Sequence, residues 1–434
     1  MTPKIKSEKE RMLLRKSSKK AEIEADAQRA FEHVKNLARF GSRVAGTDGD
    51  VKSIEYMRRH FAEGGLKVEY DVFNAPSFVE KEAKVLLSRP LKKEFKVRAM
   101  LYSVPTSSEG VKGEGIYANL CRKEDLAKIS AKGKIVMFSR TRDKDAFWEE
   151  VTNAAKNGAK AVIMIDYNPW IFTATTESGY FNIQKRFLPI EPNPIPAVTM
   201  TFNDGQYLLE QAAKGKTEIT LIVDVKNEEK ETKNIRATIE GGKRADEKIL
   251  IIAHRDTANT PGANDNASGL ATLLELARIL PNYRLDRTVE LMAVGAEEEL
   301  GSLGSYNYCK MHKNELEKIK AVINVDMVAV GSKLKVITEG IWPDKGKLET
   351  SKEINKLLVE EANHLGYFAE YGICSFATSD EGRFIDAGVP ASWLWKPDDP
   401  YYHSTEDTPD KVNPNDIKAV CEIVKNAVIK LAKV

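Results

Sequence analysis

The sequence predicts an α/β protein built on a doubly wound mixed sheet and interrupted by a second, β-rich unit. Three observations predict it. From Ile235 onward, short apolar runs alternate with segments whose apolar residues recur at helical spacing. Residues 81–225 break that rhythm with short strands and a long aromatic, proline-bearing loop. The 434 residues also exceed the roughly 100 to 200 of an ordinary domain, so two globular units are expected.

Taken in order, residues 1–20 are a basic arm without an apolar run, read as a frayed, solvated tail. Phe31, Val34, Leu37 and Ala38 then mark a helix that stops at Gly41, and Val51, Ile54, Met57 and Phe61 a second one ending at "GG". The alternating "LKVEYDVF" follows as a strand. In the inserted stretch, strands are expected at 134–138, 161–165 and 197–200, with one helix before the second and another near Gln206. The loop over 166–196 is longer than ordinary connections and is expected to cover a functional crevice. "NEEKETKN" reads as a solvated turn. After it come strands at 248–253, 288–295 and 321–325, with helices starting at Ala267, Ser302, Lys352 and Asn415. The expected division is an arm (1–20), a first part of the main domain (21–80), an insertion (81–228) and a second part (229–434).

Composition excludes several classes of partner. With 66 basic and 64 acidic side chains, net charge +2, no field favours nucleic acid or an anionic membrane. No run of about 18 apolar residues is present to span a bilayer, and the N-terminus lacks the apolar core of a signal peptide. Cys121, Cys309, Cys374 and Cys421 form no CxxC pair, which argues against a disulfide framework or a cysteine zinc site. The expectation is a soluble cytoplasmic protein. High charge with only four glutamines resembles thermophile composition.

The chemistry gathers where strands end. "ILIIAHRD" ends in His254 and Asp256, "VELMAVGAEEELG" contains Glu298 and Glu299, and "AVINVD" ends in Asp326. Asp265 stands before the helix "NASGLATLLELARIL" and His403 lies in "KPDDPYYHSTEDTPD". In open parallel sheets the carboxyl ends of strands form the ligand crevice, so segments distant in sequence converge there. Two imidazoles and three carboxylates suit a pair of divalent, zinc-like ions, one carboxylate bridging both. Ions about 3.5 to 4 Å apart share a water, lower its pKa towards about 7 and polarise a carbonyl. Consecutive glutamates allow one to ligate while its neighbour accepts the proton of the water. Asp256, two residues past His254 in an extended chain, is expected to orient the imidazole through its second nitrogen. Each residue also has a plainer reading: Asp265 as a helix cap, the three acids as a solvated turn, Tyr402 as a packing residue. The aromatics of "WLWKPDDPYYH" read as a core edge or, for Trp393 and Trp395, as walls of an apolar side-chain pocket. His33, His60, His312 and His364 fall in helical stretches without acid partners and read as structural or surface residues.

The ordered set "HRD", "GANDNASG", "EELGSLGS", "NVDM", "SDEGRFIDAGVP" and "YYHSTEDT" resembles the co-catalytic two-zinc metallopeptidases, the family of aminopeptidase Y, bacterial leucyl aminopeptidase, glutamate carboxypeptidase and the transferrin receptor. The resemblance covers about residues 21–74, "FGSRVAGT" included, and 235 to the C-terminus. Residues 113–225, with "AAKNGAKAVIMI" and "IPAVTMTFNDGQYLLEQ", are similar to the protease-associated domain often inserted in that family. The resemblance implies a zinc-peptidase, phosphorylase/hydrolase-like fold. One ion would be held by His254, Asp265 and Asp326, the other by Asp265, Glu299 and His403. Glu298 would be the general base and Tyr402 a support for the developing oxyanion. Two zinc ions, or cobalt or manganese in their place, and a peptide substrate follow. Arg255 in "HRD" is like the carboxypeptidase and receptor branch, "DNASG" is like the aminopeptidases, and Glu381 stands where many relatives have histidine.

The expected activity is therefore a metalloexopeptidase, most simply an aminopeptidase. A carboxypeptidase of the glutamate carboxypeptidase type is the alternative, and would need a cation such as Arg142 or Arg186 for the terminal carboxylate. A non-catalytic, receptor-like protein is the third reading; it predicts lost ligands, and the sequence keeps all five. Side-chain preference and oligomeric state, homo-oligomer included, are left open.

Overall fold

The computed structural model describes residues 23–142, 147–176, 194–298, 301–342 and 346–433. Its main element is a mixed sheet of eleven strands among these residues. Four parallel strands form the centre: Ala391–Trp395, Ile319–Val325, Arg244–His254 and Arg287–Val294. They read as near-continuous apolar runs because helices cover both faces. On one face, Ala27–Ala38, Ala267–Ile279 and Pro414–Lys433 pack over Ile249, Ile251, Leu291 and Ile323. On the other, Tyr308 and Phe384 close over Leu250, Ile252, Met292 and Val322. In Ala267–Ile279 every residue except Arg278 is buried, and the polar Ser268, Thr272 and Glu275 are hydrogen-bonded there, to the Asn264 carbonyl, the Ser268 carbonyl and Arg278. No helix among the described residues is long and apolar enough to cross a membrane.

The doubly wound mixed sheet is thus present, and the predicted helices and strands of the main domain lie within a few residues of their expected positions. One segment differs. "NEEKETKN", expected as a turn, lies inside the strand Glu218–Ile239, which pairs with Lys67–Arg89 from Lys67↔Thr238 to Arg89↔Glu218. The segment contains no glycine or proline to turn it. Where this antiparallel ribbon leaves the layered core, its side chains meet water. There alternating charges satisfy one another along the strand: Lys226 and Lys230 lie 2.7 and 2.9 Å from Glu228. The ribbon runs through both expected domain boundaries, at 81 and at 228, so the chain enters and leaves the insertion along paired strands.

The inserted unit is a five-stranded sheet, ordered Arg98–Ala99, Ala197–Met200, Ala161–Ile165, Ile135–Ser139 and Gly115–Tyr117. Three of its strands match the predicted ones. Helices Trp148–Lys156 and Phe202–Lys214 follow the expected order. Of the long loop, 177–193 lie outside the described residues, as do the arm 1–20 and Arg186. Within its described part, residues 171–173 pair with the segment that carries His403.

Candidate metal centre

All the described candidate groups meet at the carboxyl edge of the parallel strands. His254 is the last residue of its strand, Asp326 follows Ile319–Val325, and Glu297 and Glu298 follow Arg287–Val294 after a left-handed residue, Ala296 (φ 55°). His254 Nε2 lies 3.1 Å from Asp265 Oδ1 and 3.2 Å from Asp326 Oδ1. His403 Nε2 lies 3.3 Å from Asp265 Oδ2 and 2.8 Å from Glu298 Oε2. The two oxygens of Asp265 therefore face two different imidazoles, as a bridging carboxylate requires. Two groups of ligand atoms, His254/Asp265/Asp326 and Asp265/Glu298/His403, each fall within 4.8 Å of one another. A third group joins His254 with Glu297 and Glu298.

Several expectations take a different form here. Glu299 lies outside the described residues, and the carboxylate that meets His403 is that of Glu298. The Asp256 to His254 bond is not made, since Oδ1 stands 3.9 Å from Nδ1. Asp256 Oδ2 instead accepts the Glu298 backbone N–H at 2.8 Å and so fixes the turn that carries the acids. The cap of Ala267–Ile279 is Asn266, whose Oδ1 accepts from Gly269, rather than Asp265. Asp265 is held by its own backbone: Asp407 accepts the N–H groups of Asn264 (2.7 Å) and Asp265 (3.0 Å). Tyr402 stacks on the His403 ring, with centroids 3.8 Å apart, and lines the pocket. Among the remaining histidines, three do have acid partners: His60 with Glu63, His312 with Asp71 and His364 with Glu361. His33 meets Tyr56 Oη at 2.8 Å. None of the four joins the centre.

Sequence reasoning missed the groups that hold this arrangement. Ser379 donates to Asp326 Oδ2 at 2.7 Å and is itself met by Asn324, which also bonds Glu381. Arg43, fully buried, donates to the carbonyls of Arg255 (2.8 Å), Pro261 (2.8 Å) and Gly262 (2.9 Å), clasping the loop between His254 and Asp265. The only signal was its place in "FGSRVAGT". Arg255 points away from the site, to Asp50, Ser53 and the Lys233 carbonyl. Replacing Arg43 by Met takes the guanidinium donor from these three carbonyls and from that of Leu37 (3.4 Å), and each buried carbonyl left without a donor costs about 1 to 3 kcal/mol. Arg43→Met is expected to lower stability by on the order of 3 kcal/mol or more, read as a lower thermal midpoint in chelator. An unchanged midpoint would show that the clasp contributes nothing.

The charge state agrees with the geometry. Burial works against a charged His254 or His403, yet the facing carboxylates, Asp326 and Asp265 for the first and Glu298 and Asp265 for the second, raise both well above the usual imidazole range. Burial would raise Asp265, but the two imidazoles hold it below the ordinary carboxylate value. Burial, then the Asp265 charge, pushes Glu298 up to about 7, with His403 opposing. Glu298 Oε1 and Asp256 Oδ1 are buried without a hydrogen-bond partner. A buried carboxylate set of this density needs cations, and imidazole nitrogen with carboxylate oxygen is the donor set that zinc-class ions take. The residues fit such ions.

Residues 234–428 match the model of peptidase family M28 and residues 102–208 that of the PA domain. Aminopeptidase YwaD of Bacillus subtilis is 27% identical over 96% of this chain and 87% of its own length. Leucine aminopeptidase 2 of Trichophyton rubrum is 27% identical over 82% of this chain and 68% of its own. Among solved structures, BSAP, a zinc aminopeptidase from Bacillus subtilis, superposes with TM-score 0.74 at 26% identity, covering 95% of this chain and 96% of that one. The aminopeptidase from Aneurinibacillus sp. strain AM-1 gives TM-score 0.70 at 27% identity, covering 94% and 95%.

Proposed function

We propose that this chain, which belongs to peptidase family M28 through residues 234–428 and carries a PA domain at residues 102–208, is a zinc-dependent exopeptidase releasing N-terminal residues from peptides. One observation carries the choice of the amino end. The described residues lining the pocket include Asp265, Glu297, Glu298 and Asp326, and neither lysine nor arginine. With Asp265 and Asp326 taken up by the ions, Glu297 and Glu298 are left to receive a free α-ammonium, and the described lining offers no cationic side chain to hold a terminal carboxylate. Of the cations the carboxypeptidase reading needs, Arg142 stacks on Tyr167 and is absent from the described lining, and Arg186 is outside the described residues.

In this reading His254, Asp265 and Asp326 hold one ion, and Asp265, Glu299 and His403 the other. Bound there, a pair of zinc ions supplies Lewis acidity towards the scissile carbonyl and a water of lowered pKa. Glu298 takes the proton of the attacking water and gives it to the leaving amine. Asp256 keeps Glu298 in place through its backbone N–H, and Tyr402 supports the developing oxyanion. Trp393 and Trp395, stacked at 4.9 Å, with Phe376 and Met327 beside them, wall an apolar pocket for the first side chain. A cytoplasmic setting belongs to the same proposal, because all four cysteines are unpaired, as a reducing compartment leaves them.

The test compares leucyl anilide with its N-acetylated twin and with glutamyl anilide. Leucyl anilide is expected to be cleaved about 10²-fold or more faster than glutamyl anilide, whose charge would have to enter the apolar pocket. The acetylated twin should be inert, since it has no ammonium. Comparable cleavage of the acetylated substrate would reject the aminopeptidase reading.

A further inference from the structure

We propose that Phe172 and Thr173, from the inserted PA domain, are positioning residues for the His403 half of the metal centre, so that this domain sets how tightly that half binds its ion. The inference rests on the metal reading above and concerns residues that the reading leaves unused.

The two halves of the centre are supported differently. His254 ends a central parallel strand whose ladder fixes its backbone. His403 lies in a turn, outside any strand, with a left-handed backbone (φ 50°) that residues other than glycine rarely adopt. Something outside the turn must hold it. The Thr173 N–H and hydroxyl both donate to the His403 carbonyl, at 2.7 and 3.0 Å. The Thr405 N–H donates to the Ile171 carbonyl at 3.1 Å, and Phe172 forms an antiparallel bridge with Ser404. Residues 171–173 thus act as a short strand laid along 403–405.

The ring is held as well as the backbone. Phe172, 1% exposed, stacks towards the imidazole with centroids 5.9 Å apart and planes at 29°. The Arg140 guanidinium carbon lies 3.2 Å from the Phe172 ring centroid. Arg140 in turn reaches Asp166 at 3.3 Å, and the second oxygen of Asp166 accepts the Phe172 N–H at 3.0 Å. Arg140 and Asp166 are the residues just past the ends of Ile135–Ser139 and Ala161–Ile165. The clamp on His403 is therefore anchored in the inserted sheet itself. Groups that orient a metal-binding imidazole from behind typically change metal affinity about 10- to 100-fold when removed.

The test uses the full chain, stripped of metal and titrated with Co²⁺ and Zn²⁺ against a competing chelator, with bound metal counted after gel filtration. Phe172→Ala is expected to weaken one ion about 10- to 100-fold and leave the other unchanged. Phe172→Tyr, which keeps the ring, should restore it. Thr173→Val removes only the hydroxyl bond and should weaken the same ion several-fold; it carries the test alone if Phe172→Ala does not fold. Normal binding of both ions by a folded Phe172→Ala, or by Thr173→Val in its place, overturns the inference. His403→Ala separates the two levels. If it releases one ion while the PA-domain variants keep both at normal affinity, only this inference falls; if it leaves both bound, the metal reading falls.

Discussion

Glu298→Gln is expected to lower kcat about 10²- to 10⁴-fold, the range of a lost general base, while two metal ions remain bound. The amide keeps the size of the carboxylate and the backbone anchor to Asp256, but it cannot accept a proton. The structure makes the outcome informative, because Glu298 Oε2 stands 2.8 Å from His403 Nε2 and shares a ligand group with Asp265. If Glu298 were a metal ligand, the same variant would release an ion along with the activity. Glu299→Gln should behave in the opposite way, losing the His403-side ion first. Metal counts on the two variants, beside their rates, assign base and ligand; an active Glu298→Gln enzyme would remove the base from the mechanism.

That ambiguity marks the limit of what was legible. Strand ends with their acids and histidines can be read one by one, and the rule that ligands gather at the carboxyl edge of parallel strands brings His254, Asp326 and the glutamates together from the sequence alone. Which of three consecutive acids faces which histidine depends on the turn at Ala296. Ala296, Met327 and His403 all take left-handed backbones beside the centre (φ 55°, 54° and 50°) without a glycine to announce it. Arg43, Asp407 and Thr173 were invisible for another reason. They act on backbone atoms of residues 212, 142 and 230 positions away, and a peptide carbonyl or N–H carries no residue identity for a pattern to find. The ribbon at 227–234 shows the converse, a charge run that stays extended because its neighbour in space supplies the pairing.

Chelation is expected to abolish turnover and to lower the thermal midpoint, with zinc restoring both. An ion present at about 1,000 times its Kd stabilises the fold by about 4 kcal/mol, so two ions correspond to a shift on the order of 10 °C. The pH dependence of the gap follows from the metal-free site. Glu298 is moved by burial and then Asp265 from 4.5 to about 7, and Asp380, a buried carboxylate that accepts the Ser305 hydroxyl, chiefly by burial from 3.8 to about 8. Between the lower and upper value of each, the unfolded chain releases a proton that the folded chain retains, so metal-free stability falls as pH rises from about 4 to 8. His254 and His403, raised in the folded state above the ordinary 6.5 in spite of burial, act in the same direction. Their contribution is complete below 6.5 and is lost as pH rises through the folded value. Ions bind the deprotonated His254 and His403, and their charge favours the ionised carboxylates beside them, so binding releases protons. The difference in midpoint between zinc-loaded and stripped protein should therefore widen from pH 6 to pH 8. Thermal melts of both forms across that interval check it. A gap that narrows with rising pH would mean that His254 and His403 are not the imidazoles that hold the metal.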